Sequence, residues 1–226
     1  MAADILDAQR MSASVFNSIP ISEQEATFSL DVLRSFARIF VARQMHLHYG
    51  IGTLHRHATL LDDRTGMVHS TGSNNVDICK VQRIDESQSN VTHNSLLLNA
   101  SSKFQAFEYD IDIHRPLDSE FLFLLKELIL SAGLAQSVAI IPTPLRDHGE
   151  ELFECQLQDD QGIITLPRKH LQQDLTELGR AVTTGWMFRE TCGGSIEIHV
   201  MKKCVLQTNG LHAVVKGKDV ACLLDG

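Results

Sequence analysis

Gln44–Leu61, QMHLHYGIGTLHRHATLL, joins an amphipathic stretch on its N-terminal side to the first run with strand character. Before it, Leu30, Leu33, Phe36 and Phe40 recur at helical spacing, with Val32, Ile39 and Val41 widening the stripe, so the spacing predicts a helix over Ser29–Gln44. Gly50 and Gly52 then read as helix breakers, because glycine costs about 1 kcal/mol in a helix interior, and Ile51–Leu61 reads as a strand. The same stretch holds His46, His48, His55 and His57, four of the chain's 11 histidines. The 12-residue window His46–His57 would hold about 0.6 by chance, and short histidine-rich tracts invite a metal reading. On a strand, His55 and His57 leave one face with their Cα atoms about 6.6 Å apart. His46 and His48 converge only if the chain is already extended before Gly50, since residues two apart on a helix face nearly opposite ways.

Outward from that joint, the chain alternates short apolar runs with turn chemistry. Asp62–Gly66 reads as a hairpin loop, and Val76–Ile84 and Val91–Asn99 as candidate strands. Phe107, Tyr109, Ile111 and Ile113 alternate with Glu108, Asp110 and Asp112, which predicts a strand with one buried and one solvated face. A second helix is expected over Asp118–Ala132, with Asp118 as N-cap and Gly133 as the left-handed residue that ends it. Val138–Ile141 reads as a strand, Leu152–Leu157 with Ile163–Leu166 as a hairpin, and Leu171–Val182 as a third helix. Trp186–Arg189, Ser195–Val205 and Leu211–Val215 read as further strands, turning at Gly193-Gly194 and Asn209-Gly210. No internal repeat is visible. The expected fold is a single α+β domain over 1–226, a mostly antiparallel sheet with two or three helices packed on it, and 1–20 as a possible loose arm.

Composition bounds the function. A net charge of -8 argues against nucleic acid, whose phosphates need a basic face. The most apolar segment, Phe121–Leu130, is broken by Lys126 and Glu127 and is too short to span a bilayer, so no membrane partner is expected. Five cysteines without paired spacing fit reduced thiols, and with no secretory leader at Met1–Arg10 the expected location is cytoplasmic. The signatures of common hydrolases, dinucleotide enzymes, NTPases and zincins are missing: there is no G-x-S-x-G, G-x-G-x-x-G, P-loop or H-E-x-x-H.

The candidate site centres on His55 and His57, with Arg56 as a further catalytic candidate. Glu108 supplies a carboxylate, and two histidines with a carboxylate make a common ligand set for Zn or non-haem Fe. Cys192, His199, Cys204 and His212 match no tight zinc spacing, but Cys204 and His212 can meet across the Asn209-Gly210 turn. The metal set read from the sequence is therefore His55, His57, Glu108 and His212, holding one divalent ion. Whether His46, His48, Cys192 and Cys204 join it is left open.

Thr53-Leu54-His55-Arg56-His57, followed by a short acidic turn, resembles the LLHRHF hallmark of a family of filamentous-fungal proteins without a settled activity. Phe104–Tyr109 (FQAFEY) resembles that family's PYEF-like strand. Cys204 with Gly210-Leu211-His212 resembles its Cys…Gly-His segment, after an aromatic strand represented by Trp186-Met187-Phe188. Leu211 between that Gly and His, and Ala58 after the second histidine, depart from the pattern. The resemblance implies a choice of residues and a single-domain architecture, and supplies no activity. Three functions remain in play. The first is a metal-assisted enzyme acting on a small organic molecule. The second is a metal-free binder or enzyme using the histidines as acid and base, and the third a protein-interaction module with structural histidines.

Overall fold

The computed structural model describes residues 5–7, 9–21, 28–71, 76–84, 90–144, 151–158, 162–171 and 179–215. Three α-helices lie among them: α1 (Ala13–Asn17), α2 (Leu30–Ala42) and α3 (Ser119–Ser131). Ser29 caps α2 by accepting from the Val32 amide, and Asp118 caps α3 by accepting from the Glu120 amide. Gly133 follows α3 with φ +67°, the left-handed conformation that an L side chain resists. The apolar stripes bury Leu33, Phe36 and Phe40 on α2 and Leu122, Leu125 and Ile129 on α3. Arg43 clamps the two helices through ion pairs to Asp118 and Glu120.

The strands are β1 (Leu6–Asp7), β2 (Tyr49–Thr53), β3 (Thr65–Thr71), β4 (Asp77–Arg83), β5 (Val91–Leu98) and β6 (Phe104–Ile111). They continue with β7 (Val138–Pro142), β8 (Leu152–Leu157), β9 (Gly162–Pro167), β10 (Arg180–Glu190), β11 (Ile196–Leu206) and β12 (Val214–Val215). Hydrogen bonding runs β6-β3-β4-β9-β8-β11-β10-β2-β7-β5 and returns to β6, so ten strands close a barrel. Short β1 and β12 lie alongside β6 and β8. This corrects the α+β expectation. The protein is mostly β, its strands form no open sheet, and α2 and α3 lie against the outside of a closed ring. Closure needs pairings between distant segments, such as β4 with β9 and β2 with β10, and local periodicity carries no information about them.

The topology is duplicated. α2 begins at Leu30 and α3 at Ser119, β2 at Tyr49 and β7 at Val138, β5 at Val91 and β10 at Arg180, each 89 residues apart, while the starts of β3 and β8, β4 and β9, and β6 and β11 are 87, 85 and 92 apart. Each half runs helix, lone strand, hairpin, hairpin, and in each half the first strand of one hairpin pairs in parallel with the last strand of the other, β3 with β6 and β8 with β11. Paired bulges recur as well. Between β5 and β6 the ladder skips Asn94 and Phe107 on either side of the Ser95–Glu108 pair. Between β10 and β11 it skips Thr184 and Met201 around Gly185–Lys202. Bulges re-aim side chains, and here they place Glu108 and Lys202 at equivalent positions. Those two strands lie opposite each other in the ring, yet both residues line one small cavity with Gly52, Thr53, His55, His57, Phe107, Ile141 and Thr184. The cavity is therefore inside the barrel.

Other expectations change with the barrel. The strand expected over Ile51–Leu61 ends at Thr53, and residues 54–60 are irregular. Gly50 is required by close strand approach, since a Cβ there would sit 2.3 Å from the Trp186 carbonyl oxygen. Asp62–Gly66 makes no hairpin with β2, because β3 pairs with β4 and β6. Both faces of β6 are covered: Glu108 and Asp110 are buried, Asp110 in an ion pair with Arg115, while Ile111 is exposed. Of the third helix expected over Leu171–Val182, 172–178 lie outside the described residues, and Val182 belongs to β10. Met11, Phe16 and Ile19 of the N-terminal segment are buried against Leu54 and Leu60.

Candidate metal centre

Four side chains from three parts of the chain meet at one end of the barrel interior: His55, His57, Cys204 and His212. One donor atom from each lies within 4.8 Å of the others. The loop carrying His55 and His57 is held from both sides. Leu54 N–H donates to the Ser137 carbonyl at 2.9 Å, and Asn17 exchanges two 2.9 Å hydrogen bonds with the backbone of Leu60. Arg56 donates to the Ile19 and Ala58 carbonyls at 2.9 and 2.7 Å and to the Thr59 hydroxyl at 2.8 Å. It fastens the loop to the N-terminal segment, with its guanidinium bonded to that segment and to the loop itself. His212 arrives through a turn closed by Gly210 (φ +80°), which returns the chain so that Leu206 and His212 form a β-bridge.

The donors are arranged for coordination. His55 Nδ1 lies 3.0 Å from the Thr53 carbonyl oxygen. A carbonyl can only accept, so Nδ1 carries the proton and Nε2, 3.4 Å from Cys204 Sγ, presents its lone pair. The His55 and His57 rings meet edge to face at 4.4 Å, and His57 and His212 at 4.6 Å. His57 Nδ1 is buried with no hydrogen-bond partner among the described residues, a state that costs free energy unless something satisfies it. Burial, followed by the neighbouring His55, His212 and Lys202, holds the His57 pKa well below 6.5, so the ring is neutral, the form a metal needs.

Behind the donors sits an ion pair that the sequence reading missed. Lys202 Nζ lies 2.7 Å from Glu154 Oε1, and Cys204 Sγ donates to Glu154 Oε2 at 2.9 Å. Burial opposes the charge on both partners, but Lys202 outweighs it and lowers the Glu154 pKa, while Glu154 and Glu108 raise that of Lys202. The parallel register Cys204↔Glu154 on β11 and β8 sets this contact. Glu154 between Phe153 and Cys155 on β8 was the available signal; Lys202 has a second lysine beside it and gave none.

Glu108 does not join His55 and His57 as expected. It lies with His69 and Cys79 in a separate group. His46 sits on a 3-10 turn (Met45–Leu47) with His48 just beyond it, and neither reaches the cluster. Cys192 is exposed, and His199 pairs with Glu197 at an exposed stretch of β11. A tetrahedral ion with bonds of about 2.0–2.3 Å places its donors about 3.3–3.8 Å apart, and His55 Nε2 and Cys204 Sγ already stand at 3.4 Å. The described residues can thus hold a metal ion through a cluster of histidine and cysteine. No helix among them is long and apolar enough to cross a membrane. No protein-family model matches the chain, and no curated protein or solved structure matches it either.

Proposed function

We propose that this chain is a metal-assisted enzyme that binds one divalent ion between His55, His57, His212 and Cys204 and acts on a small organic molecule at the barrel interior. The convergence of four donor atoms within 4.8 Å carries this reading. The donor set favours zinc: imidazole with thiolate suits it, whereas the two-histidine, one-carboxylate set of non-haem iron is not assembled here. Such an ion supplies Lewis acidity toward an oxygen atom of the substrate.

The chain's own residues would then orient and exclude water. The adjoining cavity has a volume of 10 Å³, about the threshold for one water molecule. Only a small group such as a carbonyl or carboxylate oxygen fits beside the donors without rearrangement. Lys202 and Thr184 line that space and can donate to such an oxygen, and Glu154 keeps the lysine charge paired until it does.

Elemental analysis of protein purified without a histidine tag or chelator, then soaked in zinc, tests this. His57→Ala with His212→Ala should lose one equivalent of metal relative to wild type, with circular dichroism unchanged. Equal metal in the two proteins, or none in either, would overturn the metal centre and leave the acid–base reading, in which the His55–Cys204–Glu154 contacts work without an ion.

A further inference from the structure

A second group of ligand-type side chains lies in the same interior and shares no residue with the first. His69 on β3 faces Cys79 across the antiparallel register with β4, and Glu108 comes from β6. Their donor atoms also lie within 4.8 Å of one another, and all three residues sit in the interior. The wiring of His69 is that of a metal ligand. Its Nδ1 donates to Asp77 Oδ2 at 2.9 Å, and in the metal-free protein Nε2 donates inward to Glu108 Oε2 at 3.2 Å, a proton that an incoming ion would replace. Metal-bound histidines characteristically pass the outer ring N–H to a carboxylate in this way, which fixes the ring and raises its basicity. Glu108 is fixed in turn by the Ser95 hydroxyl, which donates to Oε2 at 2.7 Å. The bulges on β5 and β6 bring both residues inward at this point. Finally, Glu108 borders the water-sized cavity on which His55 and His57 also open. Of the three donors it is Glu108 that borders this space, so an ion held by the group has room for a water on the carboxylate side.

We propose that His69, Cys79 and Glu108 form a second divalent-metal site, suited to zinc, with a water in the shared cavity as its fourth ligand. Asp77 orients the imidazole and Ser95 the carboxylate. Lys202 lies between the two centres, paired with Glu154. This site does not depend on the first, because no ligand is common to both. Loading it releases the Cys79 thiol proton and any proton on His69 Nε2, so uptake must weaken as the pH falls.

The test uses the full chain and zinc or cobalt as the probe. Wild type should saturate at two equivalents of zinc, His69→Gln and Cys79→Ser at one each, and His57→Ala with His212→Ala at one. If wild type binds one equivalent and His69→Gln keeps it, the second site falls and the first stands. If wild type binds one and the His57/His212 variant keeps it, the first falls and the second stands. Cobalt gives a readout in wild type alone, where the thiolate-to-cobalt absorption should keep growing through the second equivalent. Growth that stops at the first equivalent overturns the two-site proposal, even if every variant fails to fold.

Discussion

The two halves of the barrel, 30–111 and 119–206, share a framework and differ in their polar interior. At equivalent places the helices are capped by Ser29 and Asp118 and bury Leu33 with Leu122, Phe36 with Leu125, and Phe40 with Ile129. At the equivalent bulges, however, one half carries Glu108 and the other Lys202. The parallel strand beside each bulge carries His69 in the first half and Glu154 in the second. The signs are exchanged: a cation reaches toward a carboxylate on one side, and a carboxylate toward a cation on the other. The lesson is that the scaffold demands an ion pair at this depth and leaves its polarity free. The four-donor cluster breaks the symmetry: His55 and His57 come from the loop after β2 in the first half, Cys204 from the second half, and His212 from beyond the repeated framework.

The largest test of that comparison is on the helices. Phe36→Asp and Leu125→Asp each bury an unpaired charge at matched, fully buried positions, and each should cost more than about 4 kcal/mol. Urea denaturation should show both unfolded or nearly so. If one variant melts like wild type, the two helices do not contribute equivalently and the structural repeat has no energetic counterpart.

Next comes the interior ion pair. Lys202→Met strands Glu154 in the interior and should cost about 3–5 kcal/mol, as breaking a buried pair does. Glu108→Gln should fall in the same range, because it leaves His69 facing a neutral amide. Thermal melts of the two variants decide whether the exchanged polarities are energetically alike, and a difference above about 2 kcal/mol would show that they are not.

The smallest effect is in pH. His57 has a folded pKa below 6.5, so the unfolded chain takes up the proton first. The stability held by its neutral ring is complete above pH 6.5 and is lost as the pH falls below it, at about 1.4 kcal/mol per pH unit. Glu108 behaves differently: burial would raise its pKa, but the His69 hydrogen bond and charge bring it from 4.5 to about 2. Its contribution is complete above pH 4.5 and disappears between there and about pH 2. Metal-free protein should therefore lose urea resistance in two steps, and His57→Gln should flatten only the upper one. A single step starting near pH 4.5 in wild type would contradict the separate electrostatics of the two groups.

What could be read from sequence follows the range of the interactions involved. The helices were legible because 3.6-residue spacing and the Ser29 and Asp118 caps are local. Most strands were legible singly from their apolar runs. Their closure was not, since β2 and β10 are joined by contacts more than a hundred positions apart, Gly52 with Gly185. The repeat was hidden because its paired positions conserve apolar character and not residue type. His55 and His57 stood out by density, but the reason given for their convergence was wrong. The chain leaves the sheet after Thr53, and it is Arg56, Asn17 and the Ser137 carbonyl that bring the rings together. Asp110 is solvated only if one face of its strand meets water, whereas in the barrel both faces of β6 are covered, Tyr109 packing in one apolar cluster and Phe107 in another.

The lone strands are exchanged between the halves: β2 lies against β10, and β7 against β5. During synthesis the first half therefore emerges with its sheet one strand short. The free edge of β5 must wait for Val138–Pro142, while β2 waits longer still for β10. Until then the unpaired edges of β5, of β2 and of β4, which waits for β9, are available to other nascent chains, the situation in which β proteins mispair.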